Sequence, residues 1–588
     1  MVALLAAARV PDLHRTSPDA AKPGAIADLR PMGGHGRVRE LIIGGSHCTC
    51  PATRSANADR PLSRAAGDRA LSARTTLEAE HALVDAFSQG SAYGLPDAEV
   101  EQVTTHAAVI FLVGERAYKM KRAVRYSFLD FSTSAKRRRA LEAEFELNRR
   151  TAPMLYHRLV GVHRTQDGRF ALEGRGHPVE WLLEMRRFDQ RDLLDRIAGR
   201  GELAAATIDA LAQEIAEFHE QAERHSDQGG YAGQRQVIEG NAEDLGSLAG
   251  RIFGVQGVEE LNRRTESELE RRRDLLEERR HAGFVRHCHG DLHLGNIVLL
   301  EGRPVLFDCL EFDPALATID TFYDLAFLLM DLCHRDLRPE AQRLLNGYLD
   351  ACWDDRGVAL LPLFLSVRGA IRAKVQGFAA DLEKDPAKRA SDIKAAHAYL
   401  DLARRFLQPE PARLVAIGGI SGTGKSTLAR ALAPGLGRAP GAVLLRTDVI
   451  RKKLCGVAPI DRLGADAYRE SVSRRVYETL MARAGALLAA GQAVIVDAVF
   501  LDPADRAHVE EVARERGVPF DGLWLSAPPS VLAERVEARR GDASDATRPV
   551  VEAQLKVDPG TVTWRPLDAS GEPKGIAAAA RTALGLTR

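Results

Sequence analysis

The chain has 588 residues, 45% apolar and 28% charged, a length that divides into about two to four hydrophobic cores and a composition that excludes a fibrous or largely disordered polypeptide. Its 81 basic and 81 acidic residues cancel, which removes the cationic surplus that draws proteins to phosphate backbones and anionic membranes, so neither nucleic acid nor membrane is an expected partner. Seven cysteines in this length do not make a disulfide framework, and a reducing cytoplasm is the expected setting.

Residues 1–75 are rich in Ala, Arg, Gly, Ser and Pro without a sustained period and are expected to form a disordered extension. Within it His47, Cys48 and Cys50 lack the second ligand pair of a structural zinc site. The run from Val2 to Val10 is short, broken by Arg9 and not preceded by basic residues, which makes a poor signal peptide. Nowhere does an apolar run reach membrane-spanning length.

A first domain is expected over 76–406. A helix over 77–87 is followed by alternating Val109, Phe111 and Val113, a Gly114-Glu115-Arg116 turn and a second strand over 117–121. Residues 134–150 have helical spacing, and 179–185 read as a buried strand. Helical segments over 204–224 and 258–280, two short strands around Asn296 and Asp308, and helices over 321–406 complete a helical second lobe. Gln408-Pro409-Glu410-Pro411 has linker composition, so 407–412 is read as a linker. Strands then alternate with helices over 413–588, as in an α/β domain with a parallel sheet.

The first chemical signal is His289-Gly290-Asp291-Leu292-His293-Leu294-Gly295-Asn296, which keeps the Asp, four residues, Asn spacing of a kinase catalytic loop. A hairpin turning at Glu301-Gly302-Arg303 returns Asp308 to the neighbourhood of Asn296. Phosphoryl transfer needs a positioned hydroxyl and neutralised phosphate charge; Asp291 suits the first task, and Asn296 and Asp308, both oxygen donors, suit Mg²⁺. Lys119 lies where kinases place the lysine that grips nucleotide phosphates, with Lys121 on the same face of the strand as the alternative.

This loop, with Phe307-Asp308, resembles aminoglycoside phosphotransferases and their choline-kinase-like relatives. The resemblance implies an α+β, two-lobed protein-kinase-like fold. It makes Asp291 the catalytic base, Asn296 and Asp308 metal ligands, and Asp324 in Tyr323-Asp324-Leu325-Ala326 a structural anchor. Glu144 is placed like the glutamate that pairs with the phosphate lysine, with Glu142 and Glu146 as neighbours in contention. A glycine-rich G-x-G-x-x-G loop does not precede Lys119, which lowers the expectation of protein substrates.

The second signal is a strand running into Gly419-Ile420-Ser421-Gly422-Thr423-Gly424-Lys425-Ser426-Thr427 and then a helix, the context of a Walker A phosphate loop. Glycines turn backbone N–H groups inward, the helix start adds positive potential, Lys425 adds a full charge and Ser426 can hold Mg²⁺. Asp448, after a strand over 443–446, is the candidate base and Arg451 the candidate substrate-anion binder. Asp497, ending a strand over 494–496, reads as a Walker B metal residue. Arg539 and Arg540, with Arg535, end a helix over 531–540. They are placed either on a lid that neutralises the moving phosphate or on a solvated helix terminus.

This segment resembles gluconate-kinase-like and zeta-toxin-like P-loop kinases, and more loosely polynucleotide kinases. The whole resembles a bacterial family in which an aminoglycoside-phosphotransferase-like domain is fused to a P-loop ATP-binding domain. It implies ATP and Mg²⁺ as cofactors, and small hydroxylated molecules as acceptors.

Overall fold

The structure, a computed structural model, describes residues 78–586 apart from 106, 127–128, 173, 312, 459 and 539–542. The expected N-terminal extension, with His47, Cys48 and Cys50, lies outside the described residues, as do Arg539 and Arg540.

The small lobe is built on a six-stranded antiparallel sheet. Its strands run in the order Val100–Thr104, Ala108–Val113, Arg116–Lys121, Glu180–Arg186, Tyr156–Arg164 and Phe170–Leu172. Side chains alternate across a strand, so Arg116–Lys121 sends Tyr118 and Met120 into an apolar cluster with Phe87 and Phe111 and turns Lys119 and Lys121 to the other face. Helix Ser134–Asn148 starts where the Thr133 side chain accepts the Lys136 N–H, an N-cap. Its buried residues Arg137, Leu141, Glu144 and Asn148 fall at intervals of three and four, one stripe of the helix. Burial therefore selects Glu144; Glu146 is exposed, and Glu142 pairs with Arg138 at 2.8 Å.

The second lobe is helical and surrounds two short hairpin strands, Ile297–Leu300 and Arg303–Leu306. Two features differ from the sequence reading. The single helix expected over 258–280 breaks at Arg272 into Val255–Arg271 and Arg273–His281. A further helix, Gly230–Leu248, escaped notice because its four glycines depress helix propensity by about 1 kcal/mol each; packing against Leu361–Leu382 and Val255–Arg271 holds it.

The C-terminal part is a five-stranded parallel sheet in the order Val443–Arg446, Val494–Asp497, Leu414–Gly418, Phe520–Ser526, Arg565–Asp568. The fold is thus a two-lobed kinase-like α+β unit followed by an α/β P-loop unit. Residues 407–413 are neither helix nor strand, yet the two parts are closely packed.

Helix Arg338–Cys352 bridges them. Arg338 donates to the carbonyls of Pro440 and Gly437 at 3.0 and 2.9 Å, Gln342 donates to that of Ala442 at 2.9 Å, and Asn346 Oδ1 accepts the Leu444 N–H at 2.6 Å. These contacts cover the otherwise open edge of the parallel sheet. Just beyond the helix, buried Arg483 reaches both carboxylate oxygens of Asp355 at 2.8 Å. No described helix is long and apolar enough to cross a membrane.

Candidate active sites

The first site lies between the lobes. Lys119 Nζ is 2.6 Å from Glu144 Oε1 and 2.9 Å from Asp308 Oδ1, while Lys121 Nζ is 2.6 Å from Glu144 Oε2 and 2.5 Å from Glu311 Oε1. Both lysines therefore share one glutamate, and Lys119 is the one that also meets Asp308. Burial alone would lower the Lys119 ammonium, but Asp308 and Glu144 outweigh it and hold its pKa well above the ordinary value. Burial works against the Asp308 carboxylate as well, and Lys119 draws its pKa below the ordinary range. Glu311 goes the other way: burial raises it despite Lys121 beside it.

Asp308 has φ +59°, a left-handed conformation that side chains with a Cβ pay for and that recurs at functional positions. The turn is pinned by the Tyr156 hydroxyl, which accepts the Asp308 N–H at 3.2 Å, and by Asn148, whose Oδ1 accepts the Cys309 N–H at 2.8 Å. Asn296 donates from Nδ2 to the Asp291 carbonyl at 2.9 Å and to Asp291 Oδ2 at 3.1 Å, bonds that do not use its Oδ1, an oxygen that could face a cation. His293 Nε2 is 3.6 Å from Asp291 Oδ2.

Beneath the loop, buried Asp324 accepts the N–H groups of His289 at 3.1 Å and Gly290 at 2.9 Å, and meets His219 Nε2 at 3.1 Å. The close approach of His219, Cys288 and Asp324 is accounted for by these bonds and by a Cys288 thiol contact to the Ile319 carbonyl at 3.5 Å. Asp331 accepts the Leu294 N–H at 3.1 Å. Sequence reasoning missed it; its signal was the spacing of seven from Asp324 on helix Thr321–His334, which places both carboxylates on one face.

The second site is made of backbone. After strand Leu414–Gly418 the loop passes through Gly419, Gly422 and Gly424, all at positive φ, before helix Lys425–Leu432. At Gly419 a Cβ would meet the Leu525 carbonyl oxygen at 2.3 Å, so only glycine fits. Thr423 Oγ1 donates to the Ile420 carbonyl at 2.8 Å and Lys425 Nζ approaches the same oxygen at 3.2 Å. Ser426 donates to Asp497 Oδ2, and Arg446 Nε lies 3.4 Å from that oxygen. Thr427 lines, with Thr423, Gly424 and Arg535, a cavity of about 490 Å³ beside the loop.

Asp448 lies in the first turn of helix Thr447–Leu454, whose N-cap is Arg446. Burial raises the Asp448 pKa, Arg446 opposing, the direction that suits a base. Arg451 is buried and donates to the Ala467 carbonyl at 2.7 Å and Ser473 Oγ at 3.2 Å. Lys452, Asp545 and Gln554 were not singled out from sequence. Buried Lys452 is 3.3 Å from Asp545 Oδ1, Asp545 Oδ2 accepts the Tyr468 hydroxyl at 2.8 Å, and Gln554 Oε1 accepts the Ser421 N–H at 2.9 Å. Partners 82 and 133 residues away in the chain, as for Asp545 with Leu463 and Gln554 with Ser421, leave no local pattern to read.

Two family models match separate parts of the chain. A family model described as a phosphotransferase enzyme family matches residues 185–361, and one described as an AAA domain matches 414–558. An uncharacterized protein of Mycobacterium tuberculosis (strain ATCC 25618 / H37Rv) is 31% identical over 474 residues, 79% of this chain and 92% of the relative. A gluconokinase structure from Sinorhizobium meliloti 1021 is 26% identical, covering 30% of this chain and 94% of its own, with TM-score 0.22. A structure of the amicoumacin kinase hAmiN is 14% identical, covering 51% and 88%, with TM-score 0.33. The chain belongs to the family of the mycobacterial protein, and its two parts are phosphotransferase-type and P-loop-kinase-type domains.

Proposed function

We propose that the chain is a kinase with two nucleotide sites, each transferring the terminal phosphoryl group of Mg²⁺-bound ATP to a hydroxyl of a small molecule. The observation that carries this reading is the network of buried Lys119 and Glu144 with half-buried Asp308, in which a cation suited to phosphate is fixed beside a carboxylate suited to a metal. In the first site Lys119 is assigned to the nucleotide phosphates and Asp291 to the acceptor. The acceptor proton passes to an Asp291 carboxylate oxygen as the acceptor oxygen bonds to phosphorus and the bond from phosphorus to the leaving nucleoside diphosphate breaks. In the second, the Gly419–Thr427 loop and Lys425 take the phosphates, and Asp448 is the base.

The donor sets fit the metal. Asn296 and Asp308 in one site, and Ser426 and Asp497 in the other, offer only oxygen toward a cation, as Mg²⁺ requires. The ion would neutralise charge on the transferred phosphoryl group.

The test is nucleoside diphosphate release by the full chain over a pool of hydroxylated metabolites. Asp291→Ala and Lys425→Ala are each expected to abolish one set of phosphorylated products and spare the other. Loss of every product in both variants, or of none in either, contradicts two independent sites. The hydrogen-bonded Arg338–Cys352 bridge supports a second reading, in which the P-loop domain is a nucleotide-dependent switch for the first. Slow nucleotide hydrolysis at Lys425 that no acceptor accelerates favours that reading.

A further inference from the structure

A cavity of about 560 Å³ opens beside Asp291 in the helical lobe, walled by helices Gly230–Leu248, Thr321–His334 and Leu361–Leu382. On the first of these Gly233 and Gly240 face open space: a Cβ at either would meet nothing within 4 Å. The wall is polar in a particular way. Gln234 Oε1, Asn241 Oδ1, the Tyr323 hydroxyl and Arg368 Nη2 are all buried without a hydrogen-bond partner among the described residues. Buried polar groups are nearly always paired, and four orphans around one cavity define what a ligand there has to supply.

Two cations line the cavity. Lys374 is held by Asp244 at 2.6 Å. Arg368, 5% exposed, makes no ion pair among the described residues. It donates to the Tyr323 carbonyl at 3.2 Å and lies over the Tyr323 and Phe327 rings at 3.9 and 4.8 Å. Asp324 senses its charge, but that carboxylate is already engaged by two loop N–H groups and His219. Among the lining carboxylates, Asp320 is paired with Arg279 and Asp313 caps its helix through the Ala315 N–H. A buried guanidinium without a counter-charge is unfavourable unless an anion arrives, and guanidinium geometry matches carboxylate and phosphate.

We infer that the acceptor of the first site is an anionic polyol, a hydroxylated small molecule bearing a carboxylate or phosphate. Its anion meets Arg368, its hydroxyls donate to the amide oxygens of Gln234 and Asn241, and one further hydroxyl reaches Asp291. This rests on the phosphotransferase reading of the Asp291 site and names its substrate class. A polycation such as an aminoglycoside would bring positive charge toward a guanidinium that has no ion-pair partner among the described residues.

The test uses full-length protein carrying Lys425→Ala, so that only the first site turns over. D-Glycerate, D-gluconate and glycerol 3-phosphate are compared with glycerol, sorbitol and kanamycin, by thermal stabilisation with a magnesium-bound non-hydrolysable ATP analogue and by ADP release with ATP. Carboxylate or phosphate probes are expected to bind about 10- to 100-fold more tightly than their neutral counterparts; which of the two prevails identifies the anion. Arg368→Gln is expected to erase the preference and Arg368→Lys to keep part of it.

Anions that stabilise no better than neutral alcohols, kanamycin binding as well as gluconate, or a preference unchanged in Arg368→Gln overturns the inference. If a neutral or cationic probe is turned over and Asp291→Ala stops it, the phosphotransferase reading survives alone. Turnover that persists in Asp291→Ala removes that reading as well.

Discussion

The first site is assembled from side chains that meet across long stretches of chain, Lys119 with Asp308 over 189 residues, whereas the phosphate loop is nine consecutive residues shaped by backbone. The difference teaches where each is fragile. A side-chain network stores its function in paired charges and fails when one partner is lost. A glycine loop stores it in φ values, and fails when a Cβ forces the backbone to change.

The largest expected effect separates the sites most sharply. Asp291→Ala should lower first-site turnover by about 10²- to 10⁴-fold, the usual worth of a positioned acid or base, while Lys425-dependent turnover stays at the parent level. Steady-state kinetics with one acceptor per site checks it, and equal falls at both sites would erase the distinction. Next come the buried charges. Glu144→Gln, which leaves Lys119 and Lys121 short of their shared counter-charge, should cost about 3–5 kcal/mol of stability. Arg483→Met, which strands Asp355 at the interface, should cost a similar amount and split denaturant unfolding into two transitions. A single shifted transition would mean the halves stay coupled without that pair.

Gly424→Ala probes the backbone-built site. Gly424 has φ +86° and open space where a Cβ would stand, so only strain is added, about 1–2 kcal/mol, with nucleotide affinity falling more than acceptor affinity in calorimetry. The smallest effect concerns Asp350 on the bridging helix, whose pKa burial raises to about 6, with Arg483 and Arg446 opposing. An unfolded aspartate titrates near ~3.9. Between roughly pH 4 and 6 the folded chain keeps a proton that the unfolded chain has released, so stability declines as pH rises through that window. Asp350→Asn should abolish that decline; the shift corresponds to about 3 kcal/mol at full strength, and because Asp350 is only half-buried solvent screening leaves a gain on the order of 1 kcal/mol at neutral pH, which melting curves at pH 4 and pH 7 decide.

Legibility followed the same division. The strand, glycine turn and helix around Lys425 were visible because every participant is local, and the Asp291–Asn296 spacing for the same reason. Lys119 and Lys121 shared a strand face in the sequence, and nothing local chose between them. Asp308, brought in by its left-handed turn, makes the contact that Lys121 lacks. The helix Gly230–Leu248 was hidden by its glycines, and with it Gln234 and Asn241. The family model for the phosphotransferase region likewise begins at residue 185, near the end of a small-lobe strand and after Lys119 and Glu144 in the chain.

Amino-acid order alone determined two kinase-type motifs, the alternation that turns Lys119 inward and the change from a helical lobe to a parallel sheet. All of these depend on spacing within a few turns of chain. Tertiary structure decided which glutamate meets the lysines, that helix Arg338–Cys352 closes the sheet edge of the other domain, and that Arg368 is buried beside a cavity with no ion-pair partner among the described residues. Those are properties of pairs far apart in sequence, and the free energy of burying a charge depends on what the fold places next to it.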